Sequence, residues 1–447
     1  MRLPRLNAID VLQFFGIVLM AISILAGRIT LSRIAPFGNL VGNVEISYIC
    51  LFGASAAAMA SAIYRKSKFK FDYLPLAIII SLLIFLLFVL SIDLSMDREA
   101  DYGIAAEVVQ ILITLFVLYF LINNNEYLNQ FMTICIFIGL FVTIGDFISW
   151  RVDRTLFITG ISASRINLLV IGLAATMYMR TRQILWLLAM VLAVFTLLAG
   201  SMKIAVIGVS VAFTILVVTL IAAFRFADAT KFIAVVIIGA VLSSVTGDIN
   251  HTLSRIEVMN NTIPSDLFED SILLGESVKK HPHSATLKLC ENTANPTYCM
   301  RPMIQLSDTT ERMRLFAHAI SMIKTAPWVG LGSKAYKLDL IYFSGGTATL
   351  NTYYYPHNLI LNIGVTHGIF GVSALLLLLL LCLVVMLSTF RVSFSTAGLL
   401  ATAASVLAAA MTGGDFYDAR YIFICAFLAA LCSQWKFALS DTPRHVA

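Results

Sequence analysis

NLILNIGVTHGIFGVSALLLLLLLCLVVMLS, residues 358–388, contains no Asp, Glu, Lys or Arg and is long enough to cross a bilayer as one helix. A helix crossing about 30 Å of hydrocarbon needs roughly 20 mostly apolar residues, and comparable runs recur along the whole chain. They lie near residues 8–27, 44–64, 73–92, 104–122, 128–149, 161–179, 183–200, 203–224, 232–247, 396–411 and 420–437. Counted with 358–388, these make twelve expected spans, with both termini on one side. The composition agrees: 59% of the 447 residues are apolar and only 13% are charged, a balance foreign to a soluble globule of this length. The expected class is therefore all-α and polytopic, with lipid as the solvent and a large loop carrying short surface helices.

Basic residues set the expected orientation. With the termini in the cytoplasm, that side collects more Lys and Arg than the opposite short loops, led by RKSKFK at 65–70. The net charge of +6 then reflects loop location and implies no nucleic-acid partner. MRLPR is basic, but the apolar stretch after it lacks a small-residue cleavage site and reads as a retained first helix. One membrane domain is expected: nine helices over 1–247, a large periplasmic loop over 248–356, and three helices over 357–447.

Within the loop, ERMRLFAHAISMIKTAP (311–327) places Met313, Phe316, Ala317, Ile320 and Ile323 on one helical face, expected along the membrane surface and ending before Pro327. WVGLG then supplies a Gly-rich turn, and the stretch to Tyr355 is rich in Tyr, Gly and Thr. Five cysteines lie in apolar runs and act as small hydrophobes. Cys290 and Cys299 share the loop, where an oxidising compartment permits a disulfide, and we expect them to be bridged.

The strongest motif is YPHNLILNIGVTHGIFG, in which His357 and Asn358 follow a proline, and G-x-x-G follows nine residues later. Pro356 and Asn358 suit a helix start, and the reference pKa of His, about 6.5, suits proton abstraction. On physical chemistry alone, the same His would as readily cap the helix or hold a lipid headgroup. Arg151, Arg154, Arg165 and Lys203 are basic residues left on the translocated side, where each snorkels to headgroups or joins an anion site.

These stretches resemble the O-antigen ligase and polymerase superfamily, membrane glycosyltransferases that take glycans from polyprenyl-pyrophosphate carriers. The His-Asn segment resembles its histidine motif, and the resemblance implies that His357 is catalytic, with Asn358 beside it. R-x-x-x-F followed by PWVGLG looks like the family's R-x-x-x-W helix and P-x-x-G-x-G turn, which implies Arg312 as a substrate-binding residue, with Arg314 as its competitor. GSMKIAVIG resembles the S-R-G-x-x-x-G helix start, with Lys203 in the place of Arg. That exchange keeps the charge and gives up the bidentate fork. RVDRTLFITGISASR offers Arg154 and Arg165 for the family's remaining basic position, with Arg151 a third choice.

The resemblance implies an O-antigen ligase of the bacterial inner membrane, acting in lipopolysaccharide biosynthesis with its site facing the periplasm. Its implied partners are an undecaprenyl-pyrophosphate-linked glycan, the lipid A core as acceptor, and membrane lipid. Transfer from such a donor releases a highly anionic pyrophosphate, which fixed cations stabilise, and needs a base for the acceptor hydroxyl. No cofactor is expected, and the sequence has no D-x-D or H-E-x-x-H spacing for a metal. His281 and His283 read as a solvated loop, Asp415 and Asp418 as a polar turn or as carboxylates that orient His357 or an acceptor, and Glu45, Glu107 and Asp146 as helix-end carboxylates. A polymerase of the same superfamily is the nearest alternative. A transporter or lipid-linked glycan flippase is the more distant one, since the halves show no repeat and the large loop is off-centre.

Overall fold

The computed structural model describes residues 8–26, 45–65, 73–95, 103–153, 160–199, 203–246, 308–332, 335–344, 347–414 and 416–434. The protein is an integral membrane bundle. Among the described residues, seven helices are long and apolar enough to cross a membrane, and four shorter apolar helices accompany them.

In chain order the helices are α1 (Ala8–Leu25), α2 (Ile46–Arg65), α3 (Tyr73–Ser95), α4 (Gly103–Leu121), α5 (Asn125–Asp153), α6 (Gly160–Thr181), α7 (Ile184–Ala199), α8 (Lys203–Ala222) and α9 (Phe226–Val245). Then come α10 (Asp308–Thr325), strands β1 (Leu338–Ser344) and β2 (Thr347–Tyr353), α11 (Leu359–Val392), α12 (Ala397–Gly413) and α13 (Arg420–Gln434). Helices whose apolar residues run all the way round can bury one side against protein and offer the other to lipid. In α9, Phe232, Val235 and Gly239 are buried, whereas Ile233, Ile237 and Val241 are exposed.

Side-chain bonds define two ends of the bundle. At the end holding the start of α1, Tyr127 donates to Asp10 (2.9 Å), Gln13 to the Leu121 carbonyl (2.5 Å), and Arg180 to Cys432 near the end of α13 (3.0 Å). The first and last described helices therefore leave the bundle on the same side. At the opposite end, Ser23 donates to the Ser47 carbonyl (2.8 Å), Arg420 reaches the Ile24 carbonyl (3.4 Å), and α11 begins. The C-terminal helices are woven into the first nine: α12 packs on α6 and α8, and α13 packs on α11 and α3.

Three local features differ from the sequence expectations. The all-α reading omits an antiparallel hairpin, β1 with β2, in register from Leu338 opposite Tyr353 to Ser344 opposite Thr347. Its β-branched and aromatic residues favour a pleated strand pair once a packed support is present. In α10 the buried positions are Leu315 and Ala319, with Phe316, Met322 and Ile323 partly buried, while Met313 and Ile320 are exposed. Apolar residues at 313, 315, 316, 317, 319, 320, 322 and 323 cover more than half the helix circumference, so contact with the hairpin and α11 chose the face. Helix α11 is also broken: Gly368 has φ 64° and ψ −160°, where one continuous span was expected.

Candidate active site

The last carbonyls of a helix have no partner within it and carry the negative end of its dipole. At the end of α12, three successive carbonyls are taken by three residues that the sequence had marked. Asn358 donates to the Met411 carbonyl (2.7 Å), Arg312 to that of Thr412 (2.5 Å), and Arg165 to that of Gly413 (3.1 Å). These donors come from the starts of α11, α10 and α6, so one helix terminus draws together positions up to 193 residues apart in sequence.

Arg165 is fully buried, and its guanidinium pairs with Asp418 at 2.8 Å. Asp418, read from the sequence as a turn residue or a group orienting His357 or an acceptor, is the ion-pair partner of Arg165. Beside it, buried Arg420 lies over the Tyr417 ring at 3.7 Å, donates to the Tyr417 carbonyl (3.0 Å) and bonds the Tyr421 hydroxyl (2.9 Å). Burying a guanidinium is tolerable only with such compensation, and stripping one partner from a buried pair costs about 3–5 kcal/mol. Asp418→Ala is therefore expected to destabilise the protein by about 3 kcal/mol, read as a lower thermal unfolding midpoint in detergent. An unchanged midpoint would show that the pair does not hold α12 in place.

His357 immediately precedes the helix. Its φ of 53° is a backbone conformation uncommon for a residue with a side chain, and its ring lies 4.4 Å from Tyr355 and 5.7 Å from Tyr353, centroid to centroid. Asn358 caps the helix, its side-chain oxygen accepting from the Leu361 amide at 3.0 Å. Because the same side chain also donates to Met411, one residue fixes where α11 starts and ties it to α12. His357 is thereby held at the cluster, half-exposed, on a turn whose other side is buried Pro356.

The Gly-rich turn explains the break in α11. The Leu331 and Gly332 amides donate to the Val365 and Thr366 carbonyls (2.7 and 3.0 Å), which end the first half-helix. The Ile369 and Phe370 amides, which begin the second, donate to the Pro327 and Trp328 carbonyls (2.8 and 3.2 Å). The turn thus supplies the bonds that the break removes. Gly330, at φ 69°, lies against the backbone of 366–368, and Gly368 against that of 328–329. At the same point, fully buried His367 bonds Thr366 (2.8 Å) and faces Asp93 of α3 at 3.4 Å. The α10 end of the turn is secured by Tyr336, whose hydroxyl donates to the Leu315 carbonyl (3.1 Å) and whose pKa burial pushes up.

Lys203 opens α8, and Gly208 further along that helix packs on Leu168 of α6, so Lys203 lies at the Arg165 end of the bundle. Arg314 is half-buried on α10, and Arg151 falls in the last turn of α5. Ser47 donates to Glu45 at 3.1 Å, and Glu107 lies in the first turns of α4. Asp146 is placed only as part of α5. Arg154, Asp415, His281, His283, Cys290 and Cys299 lie outside the described residues, so the expected disulfide does too. Among the described residues, no three His, Cys, Asp or Glu side chains gather as a metal would require. Sequence reading passed over Asp93, His367 and Arg420. Their one signal is a charged or polar side chain within or at the edge of an apolar run, which is costly without a partner.

Residues 188–376 match the family model described as O-antigen ligase. The match takes in α8, α10, the Gly-rich turn, His357 and the break in α11. No curated protein matches the chain.

Proposed function

From the chain's place in the O-antigen ligase superfamily, whose members are glycosyltransferase-like enzymes of lipopolysaccharide biosynthesis, we propose that it is an O-antigen ligase. It moves a glycan from undecaprenyl pyrophosphate to the lipid A core at the periplasmic face of the inner membrane. The observation that carries this reading is the meeting of Arg312, Arg165 and the His357–Asn358 pair at one helix end. A cation, Arg312, aimed by this terminus beside a candidate base is what transfer from a lipid pyrophosphate needs.

In the proposed step, the acceptor hydroxyl oxygen forms a bond to the anomeric carbon while the bond from that carbon to the pyrophosphate oxygen breaks. The configuration inverts, the hydroxyl proton passes to His357, and the electron pair leaves on the pyrophosphate. Arg312 spends one of its five N–H donors on Thr412 and presents the same planar group to the leaving phosphate. Lys203 adds a second cation from the start of α8, with Arg154 or Arg314 completing the set. Arg165, buried and paired with Asp418, contributes by fixing the α12 terminus against which Arg312 is aimed. Asn358 does the same for His357. In this reading the more basic, termini-bearing end of the bundle faces the cytoplasm, and the cluster, at the opposite end, faces the periplasm.

Deleting the gene tests the assignment. A ligase deletion is expected to leave long glycan on the lipid carrier and none on the lipid A core. Lipopolysaccharide capped with a single repeat would make the chain a polymerase of the same superfamily. Lipopolysaccharide lacking the glycan, with lipid-linked glycan stranded in the cytoplasmic leaflet instead of accumulating in the periplasmic one, would make it a flippase.

A further inference from the structure

A second cluster of charge lies at the opposite end of the bundle from the candidate active site. Asp228, in the first turn of α9, accepts from Arg182 at 2.6 Å and from Arg225 at 2.9 Å, so one carboxylate faces two guanidinium groups. Lys231, one turn along α9, donates to the Tyr178 hydroxyl at 2.7 Å. The Tyr178 ring also lies within reach of two cations, 5.6 Å from Arg182 and 5.5 Å from Lys231. Three cations and one carboxylate leave the cluster with two uncompensated positive charges. Arg182 stays 43% exposed at its side chain although it is ion-paired, and Lys231 is exposed, so the excess charge faces outward.

The surroundings of this charge are apolar. Phe224 and Phe226 are exposed and meet edge to face at 6.4 Å, and Ile184 is exposed on the neighbouring turn. Below Lys231, Ile238, Leu242 and Val245, seven, eleven and fourteen residues on, are exposed along the same face of α9. Scattered loop cations need no such stripe, and a site for a free anion needs no exposed aromatic rings. A phosphodiester joined to acyl chains calls for both, with cations at headgroup depth and apolar surface directly beneath. Two guanidinium groups also offer the planar donors that phosphate oxygens accept.

We infer that Arg182, Arg225 and Lys231 form a headgroup site for an anionic phospholipid, with its acyl chains along the outer face of α9. The site is separate from the glycan-transfer cluster, and its test needs no catalytic turnover. The full-length protein would be reconstituted in phosphatidylcholine nanodiscs with graded phosphatidylglycerol, and its thermal midpoint and retained lipids followed, the latter by native mass spectrometry. Phosphatidylglycerol is expected to raise the midpoint and to be retained in preference to phosphatidylcholine. In Arg225→Gln with Lys231→Gln, which leaves the Arg182–Asp228 bridge in place, apparent affinity should fall by about tenfold to thirtyfold. If that variant does not fold, Lys231→Gln alone should weaken binding by about fivefold. Equal preference in wild type and variant would overturn the inference, as would the absence of any preference. Stabilisation by inorganic phosphate or glycerol phosphate in pure phosphatidylcholine would reassign the site to a soluble anion and overturn it as well.

Discussion

His357→Ala is expected to lower glycan transfer by about 10²–10⁴-fold, the usual worth of a general base, with lipid-linked donor still bound. The imidazole is proposed to take a single proton, from the acceptor hydroxyl, whereas donor affinity rests on cations that the substitution does not touch. The fold should survive, because the tie between α11 and α12 runs through the neighbouring Asn358 and its bond to Met411. The ring's contacts with Tyr353 and Tyr355 are those of a half-exposed group and contribute little. Single-turnover transfer and donor binding, measured on the same purified protein, separate the two roles. Parental transfer rates in the variant would remove His357 from the chemistry. Lost donor binding with normal unfolding behaviour would make it a binding residue.

For Gly368→Ala the expected effect is structural, a loss of roughly 3 kcal/mol or more, combining positive-φ strain with overpacking. Gly368 sits at φ 64°, and a Cβ there would lie against the Trp328 carbonyl and the Val329 amide, backbone atoms that cannot turn aside. The Gly-rich turn would have to move outward, giving up some of the four bonds by which it bridges the broken helix. That turn joins α10, which carries Arg312, to α11, which follows His357, so transfer should fall together with stability. Gly145→Ala is the control, since among the described residues no atom beyond its own stretch of helix lies within 4 Å of a Cβ at that position, and alanine suits a helix better. Limited proteolysis and thermal unfolding should distinguish the two substitutions. Equal stability of both proteins would mean that the break in α11 tolerates a side chain and that the tight turn is not what secures it.

The membrane class, the positions of the helices and the neighbourhood of the histidine motif could all be read along the chain. Each depends on local composition: an apolar run must become a helix in lipid because its backbone has no other partner there. A proline followed by His357 and Asn358 marked a helix start because Asn358 can cap its own helix, a bond spanning three residues. The separation H-N, nine residues, G-x-x-G was equally visible, but its meaning was not. The first glycine of that pair is the point where the helix breaks, and the break exists only because residues 327–332 arrive to satisfy it.

Which charged residues belong together was decided by the tertiary structure. Arg165, Arg312 and Asn358 were separate candidates in the sequence, and what unites them is the row of unpaired carbonyls at the end of α12, a stretch with no motif of its own. The pairing of Asp418 with Arg165, of Asp93 with His367, and of two arginines with Asp228 arises in the same way. A buried or half-buried charge in a membrane protein requires a partner, but hydropathy gives only its depth along a helix. Its partner depends on helix rotation and neighbour order, which side-chain packing across the bundle sets.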